Sequence, residues 1–151
     1  MTVSAESPVS AISGPNQAAG DSLSSGDALE LLRVMELSRQ GDRREGILLR
    51  QSRGWFQVSG MGHEALAALM SHLRPDDYLY PYYRDRAMAL ARGISNYDLA
   101  LAYFAKRESS SGGRHMPGHY SSRDLNIFSA ATPTASQCIP AAGTAWLHLQ
   151  T

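Results

Sequence analysis

Residues 78–93 carry the sequence YLYPYYRDRAMALARG, in which an aromatic segment leads into a short helical pattern. The aromatic run 78–83 contains Pro81, which has no N–H to donate to a sheet, so it predicts an edge-like extended segment that enters a turn. Residues 84–92 then predict a short helix. Gly93 marks its end, because glycine adopts the left-handed conformation of a helix C-cap without steric cost.

The turn between these two segments carries Tyr82, Tyr83, Arg84 and Asp85. A guanidinium offers a planar fork of hydrogen-bond donors and a neighbouring tyrosine hydroxyl adds another, so the pattern is suited to binding a phosphate group. The structural alternative is the end of an aromatic strand followed by a surface arginine that pairs with Asp85. Residue types alone favour this alternative, because so short a motif carries little information.

Upstream of this stretch, apolar spacing predicts two amphipathic helices. The first starts at Asp27, is capped by Ser25 or Asp27, and continues or resumes over residues 43–51. Residues 55–58 predict a short extended piece, and a second helix follows that Pro75 closes. The apolar residues that define the two helices are Ala28, Leu31, Leu32 and Met35, and then Ala65, Leu66, Leu69, Met70 and Leu73.

Two further helices are predicted downstream. A capping-box pattern of Ser95 and Asp98 opens the first, which extends to about residue 106. The second covers residues 134–149, where Pro140 is tolerated only in the first turns because it lacks the N–H that a helix interior needs.

The segment between them, residues 109–128, predicts a loop that contains His115 and His119. Pro117 and Gly118 lie between the two histidines and break the helical face that would make their spacing suitable for a metal, so we predict no metal site here. The functional interpretation is a loop that is ordered over a neighbouring active site or subunit. The alternative is an unordered loop rich in serine and glycine, since loops of this length are either functional or disordered.

Small residues surround the start of the last predicted helix, over residues 132–137 and 141–145. Small side chains at the head of a helix allow its free N–H groups to approach a ligand closely. Tight packing between helices requires the same small side chains and is the structural alternative. Cys138 has apolar neighbours, so we expect its thiol to be buried rather than reactive.

Composition and charge limit the classes of function. The chain has 151 residues with 14 basic and 14 acidic side chains, so no net charge draws it to nucleic acid or to an anionic membrane. Its single cysteine excludes a disulfide framework and a Cys-based zinc site within one chain. Residues 1–26 hold no aromatic residue and only two charged ones, which predicts a disordered tail. The absence of a targeting signal and of a long apolar run predicts a cytoplasmic protein.

Taken in order, these motifs resemble the alpha subunit of the thiamine-diphosphate-dependent E1 component of 2-oxo acid dehydrogenases. The resemblance covers roughly residues 28–149. It is nearer to the branched-chain enzymes than to pyruvate dehydrogenase, because the Gly-Arg-x-Met-Pro-x-His loop belongs to the former. The matching residues are Gly62, His63, Glu64 and Ala65, then Tyr83, Arg84 and Asp85, then residues 113–120 and 133–137, and finally Gly143, Thr144 and Ala145.

The resemblance implies an α/β fold in which helices cover both faces of a mostly parallel sheet. Residues 27–151 would form an incomplete domain, the mostly helical N-terminal part of that fold, and the chain would be a truncated alpha subunit. The family's Gly-Asp-Gly…Asn motif, which carries the cofactor's magnesium, does not occur between Met1 and Thr151. We therefore expect no metal ligand in this chain.

The resemblance also assigns cofactor-binding residues. Tyr83 and Arg84 match the pair that binds the diphosphate, which agrees with the phosphate interpretation of the turn. Because these two residues do no proton chemistry, no catalytic residue is expected in the chain. Thr132 and Thr134 match two residues beside the aminopyrimidine ring. The family commonly has a leucine at the second position that wedges the cofactor into its bent shape, and Thr134 is shorter and polar.

A monovalent cation lies near this segment in branched-chain members. Pro133, Ser136 and Gln137 match three of its ligands. Ala131 stands at the fourth position and has no side-chain oxygen, so the cation is not predicted here.

The implied activity is oxidative decarboxylation of a 2-oxo acid with acyl transfer to a lipoyl group, and the implied cofactors are thiamine diphosphate and Mg²⁺. The implied partners are an E1 beta subunit or fused beta half, a lipoyl-bearing E2 and the 2-oxo acid, with no nucleic acid or membrane. The isolated chain is expected to be inactive. The alternative, favoured by the missing magnesium motif, is a truncated non-catalytic remnant or interaction module that binds no cofactor.

Overall fold

The computed structural model of the chain describes residues 23–150, and its regular elements are all helical. Within this range no strand forms, and extended backbone pairs only at two isolated bridges that share Ile127. The expected mostly helical part is therefore confirmed, whereas the sheet of the implied α/β fold does not form in these residues. The elements are α1 (Ser25–Arg50), a 3₁₀ helix (Glu64–His72), α2 (Arg86–Arg92), α3 (Asn96–Tyr103) and α4 (Cys138–His148).

Helix α1 is a single uninterrupted helix. The Ser24 hydroxyl accepts a hydrogen bond from the Asp27 N–H at 3.1 Å and caps the helix, so that α1 begins before Asp27. The predicted caps Ser25 and Asp27 are wrong, because both residues lie inside the first turn. Gly41 does not break the helix, which continues to Arg50.

The predicted tail over residues 1–26 falls mostly outside the described residues. For residues 1–22 it stays a prediction. Ser25 and Gly26 already form the first turn of α1, so the folded part of the chain begins earlier than expected.

The second predicted helix forms as a 3₁₀ helix rather than as an α-helix. Its buried residues are Glu64, Ala67 and Met70, which recur every three residues, as the three residues per turn of a 3₁₀ helix require. The prediction over residues 65–73 used the α-helical repeat and placed Leu69 on the buried face, but Leu69 is 49% exposed. Local spacing identified the helix here but not its type.

Helix α2 lies at the centre of the core. Residues 87–92 are all buried, and Leu90 belongs to one apolar cluster with Val34 of α1 and Met70 of the 3₁₀ helix. Gly93 ends the helix with a φ of +116°, which confirms the predicted left-handed cap.

Arg92, the last residue of α2, is buried among backbone carbonyl groups. Arginine remains charged in proteins, so each bond from its guanidinium to a carbonyl oxygen is charge-assisted. These bonds tie two segments to α2, namely residues 74–77 just before the aromatic run and Leu125 in the loop over residues 109–128. The accepting carbonyl oxygens belong to Arg74 at 2.8 Å, Pro75 at 2.6 Å, Asp77 at 2.6 Å and Leu125 at 3.1 Å.

The later helices form where the sequence predicts them, with shorter bounds. Ser95 and Asp98 make both hydrogen bonds of the capping box, so α3 begins as predicted, but it ends earlier, at Tyr103. Helix α4 begins later than predicted, at Cys138, which places Pro140 in its first turn.

Helix α4 touches the rest of the described chain along its second half. The Thr144 hydroxyl is hydrogen-bonded to the Tyr80 hydroxyl at 2.5 Å, and the His148 ring lies 5.3 Å from the Tyr78 ring. Cys138 in the first turn is exposed, so the expectation of a buried thiol is wrong. Among the described helices, none combines the length and apolar character that crossing a membrane requires.

We predict that Arg92→Met lowers the free energy of unfolding by about 1–3 kcal/mol, because four partly buried carbonyl oxygens lose their donor. Urea denaturation at neutral pH measures this change. Arg43→Met, on the exposed face of α1, is the control and should change stability by less than about 0.5 kcal/mol. Equal stabilities of the two variants would show that Arg92 does not hold these segments together.

Candidate functional site

The aromatic turn and the segment before α4 meet in one cleft of about 440 Å³. Tyr83, Arg84 and Thr132, three of the four residues predicted to bind a cofactor, line it together. Thr134 does not line it and lies beside Tyr82 instead. The remaining lining residues are Phe56, Gln57, Val58, Ser59, Met116 and His119.

Arg84 presents an uncompensated positive charge to the cleft. Its Nη1 donates to the carbonyl oxygen of Ser59 at 2.5 Å, and its Cζ lies 5.5 Å from the centre of the Tyr83 ring. Over residues 23–150, no carboxylate forms an ion pair with Arg84. A guanidinium with donors to spare beside a hydroxyl is suited to an anionic group.

Asp85 does not pair with Arg84, so the structural alternative for the turn is wrong in this respect. The Asp85 carboxylate accepts from the Tyr82 N–H at 2.7 Å and lies 4.0 Å from the His63 ring. Burial raises the pKa of Asp85, and the bond from Tyr82 opposes this rise. Asp85 therefore closes the turn and leaves Arg84 free to face the cleft.

Two tyrosine hydroxyls stand together beside Arg84. The Tyr82 and Tyr83 hydroxyls are hydrogen-bonded at 2.5 Å. Hydrogen bonding with Tyr83, followed by the interactions with Thr134 and Arg84, lowers the pKa of Tyr82 below its usual value. The cluster joins Thr134 to the rim of the cleft through Tyr82.

The loop over residues 109–128 contributes His119. The hydrogen-bond partners of its ring nitrogens indicate which tautomer the ring adopts. His119 Nδ1 lies 3.2 Å from the Pro117 carbonyl oxygen, which can only accept, so Nδ1 carries the proton. In the neutral ring, Nε2 then accepts from the Thr132 hydroxyl at 3.0 Å. The Thr132 oxygen keeps its lone pairs for a ligand, and we assign it as an acceptor in the cleft.

The same loop approaches the turn closely. The His119 ring stacks on Tyr83 with ring centres 5.6 Å apart. At Gly118, where φ is +83°, an added Cβ would lie 2.6 Å from the Tyr83 carbonyl oxygen, so only glycine allows this approach. The loop is thus ordered against the cleft, which agrees with its functional interpretation.

Glu64 of the Gly-His-Glu-Ala motif has a structural role. Its carboxylate accepts from Arg39 Nε at 2.8 Å and from the Gly62 N–H at 2.9 Å. The bond from Arg39 lowers its pKa from 4.5 to about 2, and the two backbone bonds at Gly62 and Glu64 add to this. These bonds join α1 to the start of the 3₁₀ helix.

The residues that match cation ligands lie in one turn. The Ser136 hydroxyl donates to the Pro133 carbonyl oxygen at 2.7 Å. Gln137 Oε1 is buried and has no hydrogen-bond partner among the described residues.

Sequence reasoning missed Ser59 as a cleft residue and Asp42 as its support, and it named His119 only as part of the loop over a neighbouring active site. Only Asp42 had a detectable signal. The buried residues of α1 include Val34 and Leu48, and the polar residues Ser38, Asp42 and Glu45 continue the same helical face between them. Polar residues on a buried helix face need partners, which marks the face as one that organises another segment.

The donors present fit a diphosphate attached to an aromatic body. Arg84 and the Tyr83 hydroxyl supply donors for the anion, whereas Phe56, Val58 and Met116 supply apolar surface. A cleft of this volume, mostly apolar with a few convergent polar groups, is typical of a small-molecule site.

Comparison with known proteins identifies relatives. The model of the family described as "Dehydrogenase E1 component" matches residues 32–149. Similar proteins include the 2-oxoisovalerate dehydrogenase subunit alpha of Bacillus subtilis, 37% identical over 126 residues, and that of Pseudomonas aeruginosa, 30% identical over 122 residues. The mitochondrial 2-oxoisovalerate dehydrogenase subunit alpha 1 of Arabidopsis thaliana is 38% identical over 95 residues.

These matches cover most of this chain and a smaller part of each relative. They include 82%, 80% and 62% of the chain for the Bacillus, Pseudomonas and Arabidopsis proteins, and 38%, 30% and 20% of those proteins. The chain thus spans less than two fifths of the length of the relatives that it matches. The resemblance to branched-chain E1 alpha subunits is confirmed.

The depressed pKa of Glu64 predicts a specific loss of stability in acid. Its ionised form stabilises the fold fully above pH 4.5, and this contribution is lost as the pH falls towards about 2. We expect a loss of about 1–2 kcal/mol, less than the pKa difference alone gives, because the Arg39 side chain is 40% exposed and solvent screens the pair.

Urea denaturation at pH 5, 4, 3 and 2 tests this expectation. Glu64→Gln should lose less stability over this range than the unmodified chain, whereas Glu108→Gln, at an exposed position, should follow the unmodified chain. If Glu64→Gln also follows the unmodified chain, the Arg39 pair does not stabilise the fold.

Proposed function

This chain belongs to the dehydrogenase E1 component family, and on that premise we propose that it is the alpha-type subunit of a 2-oxo acid dehydrogenase. The reaction would be oxidative decarboxylation of a branched-chain 2-oxo acid with transfer of the acyl group to a lipoyl-bearing E2. The names of the relatives support this class of substrate. The observation that carries the proposal is the cleft in which Arg84, Tyr83 and Thr132 converge.

The proposed cofactor is thiamine diphosphate. When bound, it supplies the electron sink that decarboxylation of a 2-oxo acid requires. Arg84 and Tyr83 would bind its diphosphate through charge-assisted and neutral hydrogen bonds. Thr132, held by His119, would accept a hydrogen bond from the aminopyrimidine side, and Phe56 and Met116 would exclude water.

The part proposed for Thr134 is indirect. It faces Tyr82 rather than the cleft, so it would act by holding the tyrosine cluster beside the diphosphate. A threonine offers less apolar surface than a leucine, so the wedge role of the family's leucine is not proposed for Thr134.

Other parts of the proposed enzyme would come from polypeptide that this sequence does not include. Over residues 23–150, no group of three or more His, Cys, Asp or Glu side chains is arranged to hold a metal ion. We propose that Mg²⁺ is bound by such other polypeptide, that an E1 beta subunit or fused beta half completes the site, and that this chain alone is inactive. The cytoplasmic location stays a prediction.

A second candidate function is an interaction module without cofactor. The observation that favours it is the apolar surface of α4, where Ile139 is 81%, Trp146 69% and Leu149 80% exposed. Exposed apolar surface of this kind marks a contact with another protein surface. The two candidates differ in one measurable property, the saturable binding of thiamine diphosphate.

We predict that Arg84→Ala weakens thiamine diphosphate binding by about 10- to 100-fold, the worth of a charge-assisted hydrogen bond. Titration calorimetry with Mg²⁺ present measures the dissociation constant in the protein purified with any subunit that accompanies it. Arg107→Ala, at an exposed position outside the cleft, is the matched control and should leave the constant unchanged.

Equal dissociation constants for Arg84→Ala and Arg107→Ala would remove Arg84 from the site. The absence of saturable binding to the unmodified protein would instead favour the interaction module.

A further inference from the structure

One wall of the cleft has no regular secondary structure. Residues 56–59 line the cleft, and the segment 56–61 is neither helix nor strand. Backbone without helical or sheet hydrogen bonds needs other partners to hold one shape. The question is which residue supplies them.

Asp42 of α1 supplies four hydrogen bonds to this segment, two of them to backbone N–H groups. It is 2% exposed, and its Oδ2 accepts from the Ser59 hydroxyl at 2.8 Å and from the N–H groups of Gly60 at 2.8 Å and Met61 at 3.0 Å. Its Oδ1 accepts from Gln57 Nε2 at 2.9 Å. One carboxylate therefore binds four residues of a single short segment.

The segment held by Asp42 in turn contacts Arg84. The Ser59 carbonyl oxygen accepts from Arg84 Nη1 at 2.5 Å. Gly60 packs on the Arg84 backbone so closely that an added Cβ would lie 2.7 Å from the Arg84 carbonyl oxygen. A continuous path of contacts thus joins Asp42 to the guanidinium.

We propose that Asp42 is a positioning residue for Arg84. It does not line the cleft, and it acts by fixing the carbonyl group of Ser59 that sets the direction of the guanidinium. The ligand role of Arg84 rests on the proposed function, whereas the link between Asp42 and Arg84 does not depend on it.

The chemistry of the site requires a carboxylate. All the groups that Asp42 Oδ1 and Oδ2 contact in this segment are donors, and an ionised carboxylate is a pure acceptor. Asparagine has nearly the same shape, but its NH₂ group would face donors at one of the two positions. Asp42→Asn therefore loses at least one of the four hydrogen bonds, and the charge that strengthens the others, while nearly preserving the volume of the side chain.

The first experiment measures the accessibility of Arg84 directly. The full chain is treated with phenylglyoxal, which modifies arginine, and the rate at each arginine is followed by peptide mass spectrometry. In Asp42→Asn the rate at Arg84 should rise about fivefold, the worth of one net hydrogen bond, while Arg92 stays protected. Asp98→Asn is the matched control, since Asp98 also accepts from a serine hydroxyl and a backbone N–H.

An unchanged rate at Arg84 in Asp42→Asn would overturn the proposal. Equal rises at Arg84 and Arg92 would also overturn it, because they would show general loosening of the fold. If Asp42→Asn does not fold, Ser59→Ala serves instead, since it removes one of the bonds from the wall. It should raise the rate at Arg84 by a smaller factor, and no rise would count against the proposal.

The second experiment separates this proposal from the proposed function. Inorganic pyrophosphate is titrated into the unmodified protein, Asp42→Asn, Arg84→Ala and the double variant. Asp42→Asn should weaken binding about tenfold alone and add less than about twofold to Arg84→Ala, because both act through one guanidinium. Additive losses would overturn the positioning role. Undiminished binding to Arg84→Ala would instead refute the ligand role of Arg84, and the modification rates would still decide the role of Asp42.

Discussion

The rest of the structure depends on the partners of two buried carboxylates, Asp42 and Glu45, which lie on one face of α1. Buried charges persist only where partners compensate them, so each carboxylate determines what packs beside it. Glu45 pairs with Arg86 of α2 at 2.6 Å, and both side chains are 12% exposed. Burial raises the pKa of Glu45, and Arg86 opposes the rise. Arg86 also bonds Asn96 of α3, so three helices meet at this pair.

The parts of the fold that could be predicted are those that depend on interactions between residues close together in the sequence. The cap at Gly93 and the capping box of Ser95 and Asp98 depend on neighbours in sequence, and both form as predicted. The type of the second helix and the exposure of Cys138 depend on contacts with distant segments, and both predictions are wrong. Spacing cannot show that Glu64 is fixed by Arg39, which lies 25 residues away.

The candidate site divides in the same way. Tyr83 and Arg84 could be proposed from the resemblance, with which the phosphate interpretation of their side chains agrees, whereas residue types alone favour the structural alternative. Ser59 could not be identified, since it contributes a backbone carbonyl group. Every residue type has a backbone carbonyl group, so the sequence does not show which carbonyl group accepts the bond from Arg84. The sequence points to His119 only as part of a loop near an active site, because the stacking of its ring on Tyr83 is a tertiary contact. The contact between Thr134 and Tyr82 likewise follows from tertiary packing.

A crystal structure of the protein with thiamine diphosphate and Mg²⁺, in the presence of any subunit that accompanies it, tests most directly whether this cleft is a cofactor site. We expect diphosphate oxygens within hydrogen-bond distance of the Arg84 guanidinium and the Tyr83 hydroxyl, with the Ser59 carbonyl group still bonded to Arg84. An ordered cofactor elsewhere, or an empty cleft at saturating concentration, would contradict the assignment of these residues.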